Sequence, residues 1–152
     1  MPIGTDDTIE KFGTADTVSA GSTSAVTDGS FSAAADAVDW TNDDDANRAR
    51  ARLTVTFASA PDAFGTIGLY ARHMNIDGVS DAPEPSADFP ATLVGVFRVE
   101  AAATTQRILC DMYLPNWDTS QVYNFYVANE TGQSMAAGWD LDVKPVADGP
   151  HA

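Results

Sequence analysis

The sequence predicts an all-β protein: a single-domain, two-sheet β-sandwich of the jelly-roll type, preceded by an N-terminal arm. From about residue 50 onward, apolar and polar residues alternate with a period of two, and no segment has a sustained helical period. Turn signals rich in Gly, Pro, Asn and Asp separate these runs at the spacing of an all-β fold. A chain of 152 residues that is 44% hydrophobic can bury one core. We therefore divide it into an arm (1–20), a sandwich (21–147) and a C-terminal tail (148–152).

The first 35 residues are rich in Ser, Thr, Ala and Gly and contain few large apolar side chains. We expect the arm within this stretch (1–20) to pack on its own domain or on a neighbouring subunit, with Ile3, Ile9 and Phe12 as its contact residues. The segment that follows predicts one or two strands around an Asp28-Gly29 turn.

The strands proper begin near residue 48. In RARLTVTFAS the side chains of Leu53, Val55 and Phe57 share one face, and TIGLYAR and WDLDV alternate in the same way. The runs TLVGVFRVE, TQRILCDMYL and VYNFYVAN are denser in β-branched and aromatic residues, which is typical of central strands. The connection over residues 75–90 contains three prolines and predicts a long excursion, of the kind that often contacts a partner.

The net charge limits the classes of molecule that the protein can bind. Eight Lys plus Arg against 22 Asp plus Glu give a formal net charge of −14, which repels phosphate backbones and anionic lipid. We therefore expect neither a nucleic acid nor a membrane as a partner. No apolar run reaches the ~18 residues of a membrane span, and the N-terminus lacks the pattern of a secretory signal. These features predict a protein that is made and kept in a cytoplasm until it is used.

Few residues are suited to catalysis. A Ser-His-Asp relay would depend on His73, since the other histidine is His151 near the C-terminus, and no nucleophile-elbow motif is present. Glu100 and Asp111 lie in apolar strand runs, where burial could raise a carboxyl pKa, but we expect both to face outward. The lone Cys110 excludes an internal disulfide and predicts a buried thiol. We expect a protein that is not an enzyme and needs no cofactor.

Two kinds of ligand site remain open. The loops DWTNDDD and NIDGVSD offer oxygens for calcium, although neither matches the helix-loop-helix pattern and both are interpreted as solvated acidic loops. Trp40 and Trp117 lie beside polar loop residues and could stack on a sugar, which would make the protein a carbohydrate-binding module for host attachment. The simpler interpretation is that these tryptophans plug the ends of the sandwich.

The arginines of WTNDDDANRARAR form the most specific pattern. Arg48, Arg50 and Arg52 occupy every second position, so a strand places all three on one face. They either neutralise the neighbouring aspartates of their own chain or bind an acidic strip on another subunit through bidentate pairs.

Several motifs occur in a recognisable order. A strand ending in LYA leads to a DG loop, then to a strand containing VG, an LP turn, and an aromatic strand closed by N-x-TG. The residues are Leu69 to Ala71, Asp77-Gly78, Val94-Gly95, Leu114-Pro115, and Asn129 with Thr131-Gly132. Over roughly residues 50–145 this order resembles small β-sandwich structural proteins of tailed-bacteriophage virions.

The resemblance implies a capsid decoration (cement) protein on the virion surface. Its partners would be the major capsid protein and copies of itself, with a trimer favoured and tail-associated roles also open. It carries over no catalytic residue. We therefore expect a protein that stabilises the shell by binding across capsid subunits.

Overall fold

The computed structural model describes residues 8–43, 46–74, 82–89, 91–114 and 121–150, without the side chains of residues 8, 9 and 148–150. The elements found there are strands and one short 3-10 helix (Ala34–Asp36). The strands are β1 (Thr8–Phe12), β2 (Asp16–Ser19), β3 (Ser30–Phe31), β4 (Trp40–Thr41), β5 (Arg48–Thr56), β6 (Thr66–Met74), β7 (Thr92–Arg98), β8 (Thr105–Tyr113), β9 (Val122–Glu130) and β10 (Asp140–Pro150). The strands predicted from residue 48 onward are all present.

The strands form two antiparallel sheets that pack face to face. The first sheet has the order β1-β10-β5-β8, with β2 also on β10, and the second has the order β3-β9-β6-β7, with β4 also on β9. Four sets of pairings are nested along the chain, each inside the one before: β1 and β2 with β10, β3 and β4 with β9, β5 with β8, and β6 with β7. This nested pairing across two sheets is that of a jelly roll, so the predicted fold class is confirmed.

The core lies between the sheets and contains the side chains that the alternation placed inward. Leu53, Val55 and Phe57 of β5 and its end are at most 2% exposed. Each apolar group faces the core because successive side chains of a strand point to opposite sides of the sheet. The other predicted inward residues are also buried: Ile67, Leu69, Ala71, Trp139, Leu141 and Val143.

The described part of the predicted arm belongs to the first sheet. Residues 8–12 and 16–19 are hydrogen-bonded to β10 as strands β1 and β2. The end of β10 pairs with β1 as far as Pro150, so part of the predicted C-terminal tail is also strand. The backbone of β10 binds both N-terminal segments through strand hydrogen bonds. Their small-residue composition did not indicate that they would form strands.

The excursion between β6 and β7 returns to β6 where it is described. The backbone N–H of Ala82 donates to the carbonyl of His73 at 3.0 Å, and Arg72 Nε donates to the carbonyl of Ala82 at 2.6 Å. Arg72 also lies 3.7 Å from Glu84. These contacts hold residues 82–84 against the end of the strand.

No helix in the described part of the chain is long and apolar enough to cross a membrane.

Candidate functional site

The candidate site is the solvent-facing side of the first sheet, here called the arginine face. It is defined by side chains on four neighbouring strands: Glu10 and Phe12 on β1, Asp142 and Lys144 on β10, Arg48, Arg50 and Arg52 on β5, and Arg107, Leu109, Asp111 and Tyr113 on β8. The β5 residues alternate with the buried Ala49 and Ala51. The prediction that the three arginines share one face is confirmed.

Each of these arginines binds a carboxylate on a neighbouring strand of the same chain. Arg48 Nη1 donates to Glu10 Oε1 at 3.1 Å, and Arg50 Nε donates to Asp111 Oδ1 at 2.9 Å. The cross-strand register explains the second pair, because Asp111 lies directly opposite Arg50.

The pair between Arg52 and Asp142 is the least exposed of the three. Arg52 donates to Asp142 Oδ2 from Nε at 2.9 Å and from Nη2 at 2.6 Å, while Thr17 donates to Oδ1 at 2.7 Å. The side chain of Asp142 is 16% exposed, against 80% for Asp111. Burial alone would raise the pKa of Asp142, but the hydrogen bonds from Thr17 and Arg52 and the nearby positive charges outweigh it and lower the pKa.

Aromatic and apolar side chains lie among these charges. Phe12 is 48% exposed, with the Arg50 guanidinium 5.8 Å and the Lys144 ammonium 5.3 Å from its ring centroid. Leu109 and Tyr113, which lie opposite Arg52 and Arg48, are 63% and 64% exposed. A shallow cleft of about 320 Å³ runs between Glu10, Arg48, Arg50, Asp111 and Tyr113. Aromatic residues and arginine are enriched in protein–protein interfaces.

The arginine face also concentrates the positive charge of an acidic protein. Five of the eight basic residues of the chain lie on it: Arg48, Arg50, Arg52, Arg107 and Lys144. With net charge −14 overall, the rest of the surface is strongly acidic. Glu10, Asp111 and Asp142 offset three of these five charges, so the face is mildly positive and complements an acidic, partly apolar partner.

Three other predicted contact residues cannot be compared with the structure, and two exposed residues of the arginine face were not predicted. Ile9 lies in β1, where its backbone pairs with Gly149, but its side chain is outside the described residues, as are Ile3 and Trp117. Leu109 and Tyr113 were not predicted, although they share the outward parity of Asp111 and could have been found from it.

Trp40 does not fit the predicted sugar contact. Its side chain is 4% exposed and packs against Phe125 and Tyr123, with ring centroids 5.7 and 6.3 Å away. The indole Nε1–H donates to Asp16 Oδ2 at 2.9 Å. The ring has no free face for a sugar, and the interpretation of Trp40 as a plug in the sandwich is confirmed.

The residues considered for catalysis are dispersed. His73 packs edge-on against the Tyr123 ring at 4.9 Å, and burial lowers its pKa. Glu100 and Asp111 face solvent as expected. Among the described residues, no three His, Cys, Asp or Glu side chains come together to hold a metal. Much of the two predicted acidic loops, including 44–45 and 75–81, lies outside those residues.

No family model matches the chain, and no curated protein matches it.

Proposed function

We propose that the protein is a bacteriophage virion structural protein that decorates the capsid and stabilises the shell by binding its subunits. The observation that carries the proposal is the arginine face, where five basic residues of a −14 chain surround exposed Phe12, Leu109 and Tyr113. Such a surface fits a protein partner better than a small molecule, because it is broad and shallow and combines aromatic groups with arginine.

Two further features support the proposal. The motif order of residues 50–145 resembles that of small virion β-sandwich proteins, and jelly rolls recur in viral capsid proteins. Fold alone does not define function, since lectin domains share this architecture. The burial of Trp40 removes one of the two residues on which the carbohydrate alternative depended.

The intramolecular ion pairs define how such binding would work. Arg48, Arg50 and Arg52 already have carboxylate partners, so they reach a binding partner as ion pairs and not as bare cations. A partner carboxylate can replace Glu10 or Asp111 at little cost, since exposed pairs contribute little to stability. The apolar groups would then supply affinity, and the arginines would fix the orientation.

The test is binding to shells of the phage that carries the gene, prepared without this protein. Wild-type protein is expected to co-sediment with the shells at saturable stoichiometry and to appear on the capsid surface in images of labelled particles. Phe12→Ala should weaken binding about tenfold, a loss typical of an interface aromatic. Val38→Ala is the control, because Val38 is 51% exposed but lies in the β3–β4 connection, outside the arginine face.

Failure of the wild-type protein to bind shells contradicts the proposal. So does selective, strong binding to a glycan array by the isolated protein, which would instead favour a host-attachment module.

A further inference from the structure

The turn between β5 and β6 displays an aromatic residue in an unfavourable backbone conformation. Phe64 has φ 69°, in the left-handed region that bulky side chains rarely adopt. Its side chain is 94% exposed, so burial against the described residues does not compensate for the strain. Strained residues persist where the surroundings impose them, and they cluster at functional positions.

The backbone around Phe64 is firmly held. The N–H of Asp62 donates to the carbonyl of Thr131 at 2.9 Å, and the N–H of Gly65 donates back to the carbonyl of Asp62 at 3.0 Å. A Cβ added to Gly65 would lie 3.0 Å from Thr131 Cα, so the turn is seated directly against the β9–β10 connection. The backbone that carries the phenyl ring is therefore held in place, which lowers the backbone entropy lost when the ring binds.

The surroundings of Phe64 indicate the chemistry of its partner. An apolar cleft beside the ring is lined by Ala63, Val99 and Ala101, and Arg98 also lines it. Arg98 is exposed and has no carboxylate partner among the residues that the structure describes. In a chain of net charge −14, an exposed arginine at an apolar cleft complements a carboxylate on another molecule.

This region is continuous with the arginine face. Arg98 and Thr66 also line a second depression, which reaches Leu109 and Asp111 on β8. Val96 of β7, which is 44% exposed, lines the same depression between Arg98 and the β8 residues. A single surface therefore runs from Phe12, around the edges of β8 and β7, to Phe64.

We propose that Phe64 is an anchor that inserts into an apolar pocket of a capsid-shell subunit, with Arg98 pairing to a carboxylate at the rim of that pocket. This inference rests on the proposed function and extends its binding surface to a site that the sequence did not indicate.

The experiment compares Phe64→Asn with wild type on shells that lack the protein. Asn tolerates the left-handed conformation, so the variant removes the ring while relieving the strain. We expect its melting temperature to equal or exceed that of wild type and its Kd for shells to rise at least tenfold. Phe64→Tyr retains the ring and should keep most of the affinity, and Arg98→Gln should weaken binding and reduce its dependence on salt. Val38→Ala again serves as the exposed control.

The outcomes separate the two proposals. Wild-type protein that fails to bind shells overturns the proposed function, and this inference with it. Wild-type protein that binds while Phe64→Asn binds equally well overturns the inference alone. If Phe64→Asn instead abolishes self-association in sedimentation velocity and leaves shell binding intact, the ring docks on a second copy, and the proposed partner is wrong.

Discussion

Asn129 shows how a single side chain organises the turn after β9. It is fully buried, and its Nδ2 donates to the carbonyls of Val26 (2.9 Å) and Gln133 (2.7 Å). Its Oδ1 accepts from the hydroxyl of Thr131 at 2.7 Å and from the backbone N–H of the same residue at 3.2 Å. The N-x-TG motif is therefore a hydrogen-bonded junction that ties the strand end to the β2–β3 connection.

Replacing Asn129 by Ala is expected to lower the free energy of unfolding by about 2–4 kcal/mol, because it leaves several buried polar groups without partners. Urea unfolding measures the change. Asn124→Ala is the control, since Asn124 Nδ2 makes a single short bond, to Asp39 Oδ1 at 2.7 Å, and its loss should cost about 1 kcal/mol. Equal losses for the two variants would contradict the special role of Asn129.

Asp142 makes a pH-dependent contribution to stability. Its pKa in the folded protein lies below the ordinary value of 3.8, so the stabilisation is fully present above that value and is lost as the pH falls through the folded-state pKa. Asp142→Asn should therefore reduce stability by at most about 1 kcal/mol at pH 7, a value reduced for the exposure of Arg52. The difference from wild type should shrink below about pH 4.

Thermal unfolding from pH 7 to pH 2.5 checks this expectation. Asp111→Asn is the matched control on the same sheet, and we expect no measurable change from it because both members of its pair are solvated. A difference between Asp142→Asn and wild type that stays constant with pH would show that lost packing, and not lost charge, is responsible.

At the scale of the element, β7 and β8 meet where the two sheets close together. Gly95 of β7 permits this approach, because a Cβ there would lie 2.9 Å from Cys110 Sγ and 3.4 Å from Met112 Cβ. The sequence identified Cys110 as a buried thiol, but its neighbour on β7 follows from the closure of the sandwich. Burial and the nearby Asp111 charge raise the pKa of Cys110 to about 12.

The Cys110 thiol is therefore expected to be inert in the folded protein. At pH 8 only about one thiol in 10⁴ is ionised, so an aromatic disulfide reagent should label it far more slowly than it labels the urea-unfolded chain. The double variant Leu109→Cys/Cys110→Ser moves the thiol to the solvent face of the same strand and should react at once. Fast labelling of the native wild-type thiol would mean that the β7–β8 junction opens readily.

The faces of the strands were predictable, whereas their partners were not. Alternation in RARARLTVT places the arginines outward and Leu53 and Val55 inward, as observed. The carboxylates that bind those arginines are 38, 61 and 90 residues away in sequence. Sequence proximity pointed instead to the aspartates just before the strand, because local pattern carries no information about which strands become neighbours.

At the scale of the whole molecule, the charge is both large and unevenly distributed. A net charge of −14 on 152 residues destabilises the compact state through self-repulsion. The arginine face, with five of the eight basic residues, is the part of the surface where most of the positive charge offsets it. The same asymmetry would steer an acidic partner toward this side of the sandwich.

Salt is therefore expected to stabilise the fold. Raising NaCl from about 0.05 to about 0.5 M should raise the melting temperature at pH 7 by a few degrees, because screening weakens the repulsion over distances beyond about 10 Å. Near pH 4 the carboxylates are partly protonated, and the effect should largely disappear. A melting temperature that falls with salt at pH 7 would mean that the cross-strand ion pairs outweigh the net repulsion.

By itself, the sequence determined the fold class, the inward and outward faces of the long strands, the burial of Cys110 and the row of arginines. These properties follow from side-chain alternation, which each strand carries within itself. Only the tertiary structure decided that β1 and β2 complete the first sheet, that Trp40 is a plug, which carboxylates bind the arginines, and that Phe64 is held in solvent. These outcomes depend on contacts between residues far apart in the chain, and such contacts exist only once the two sheets have closed.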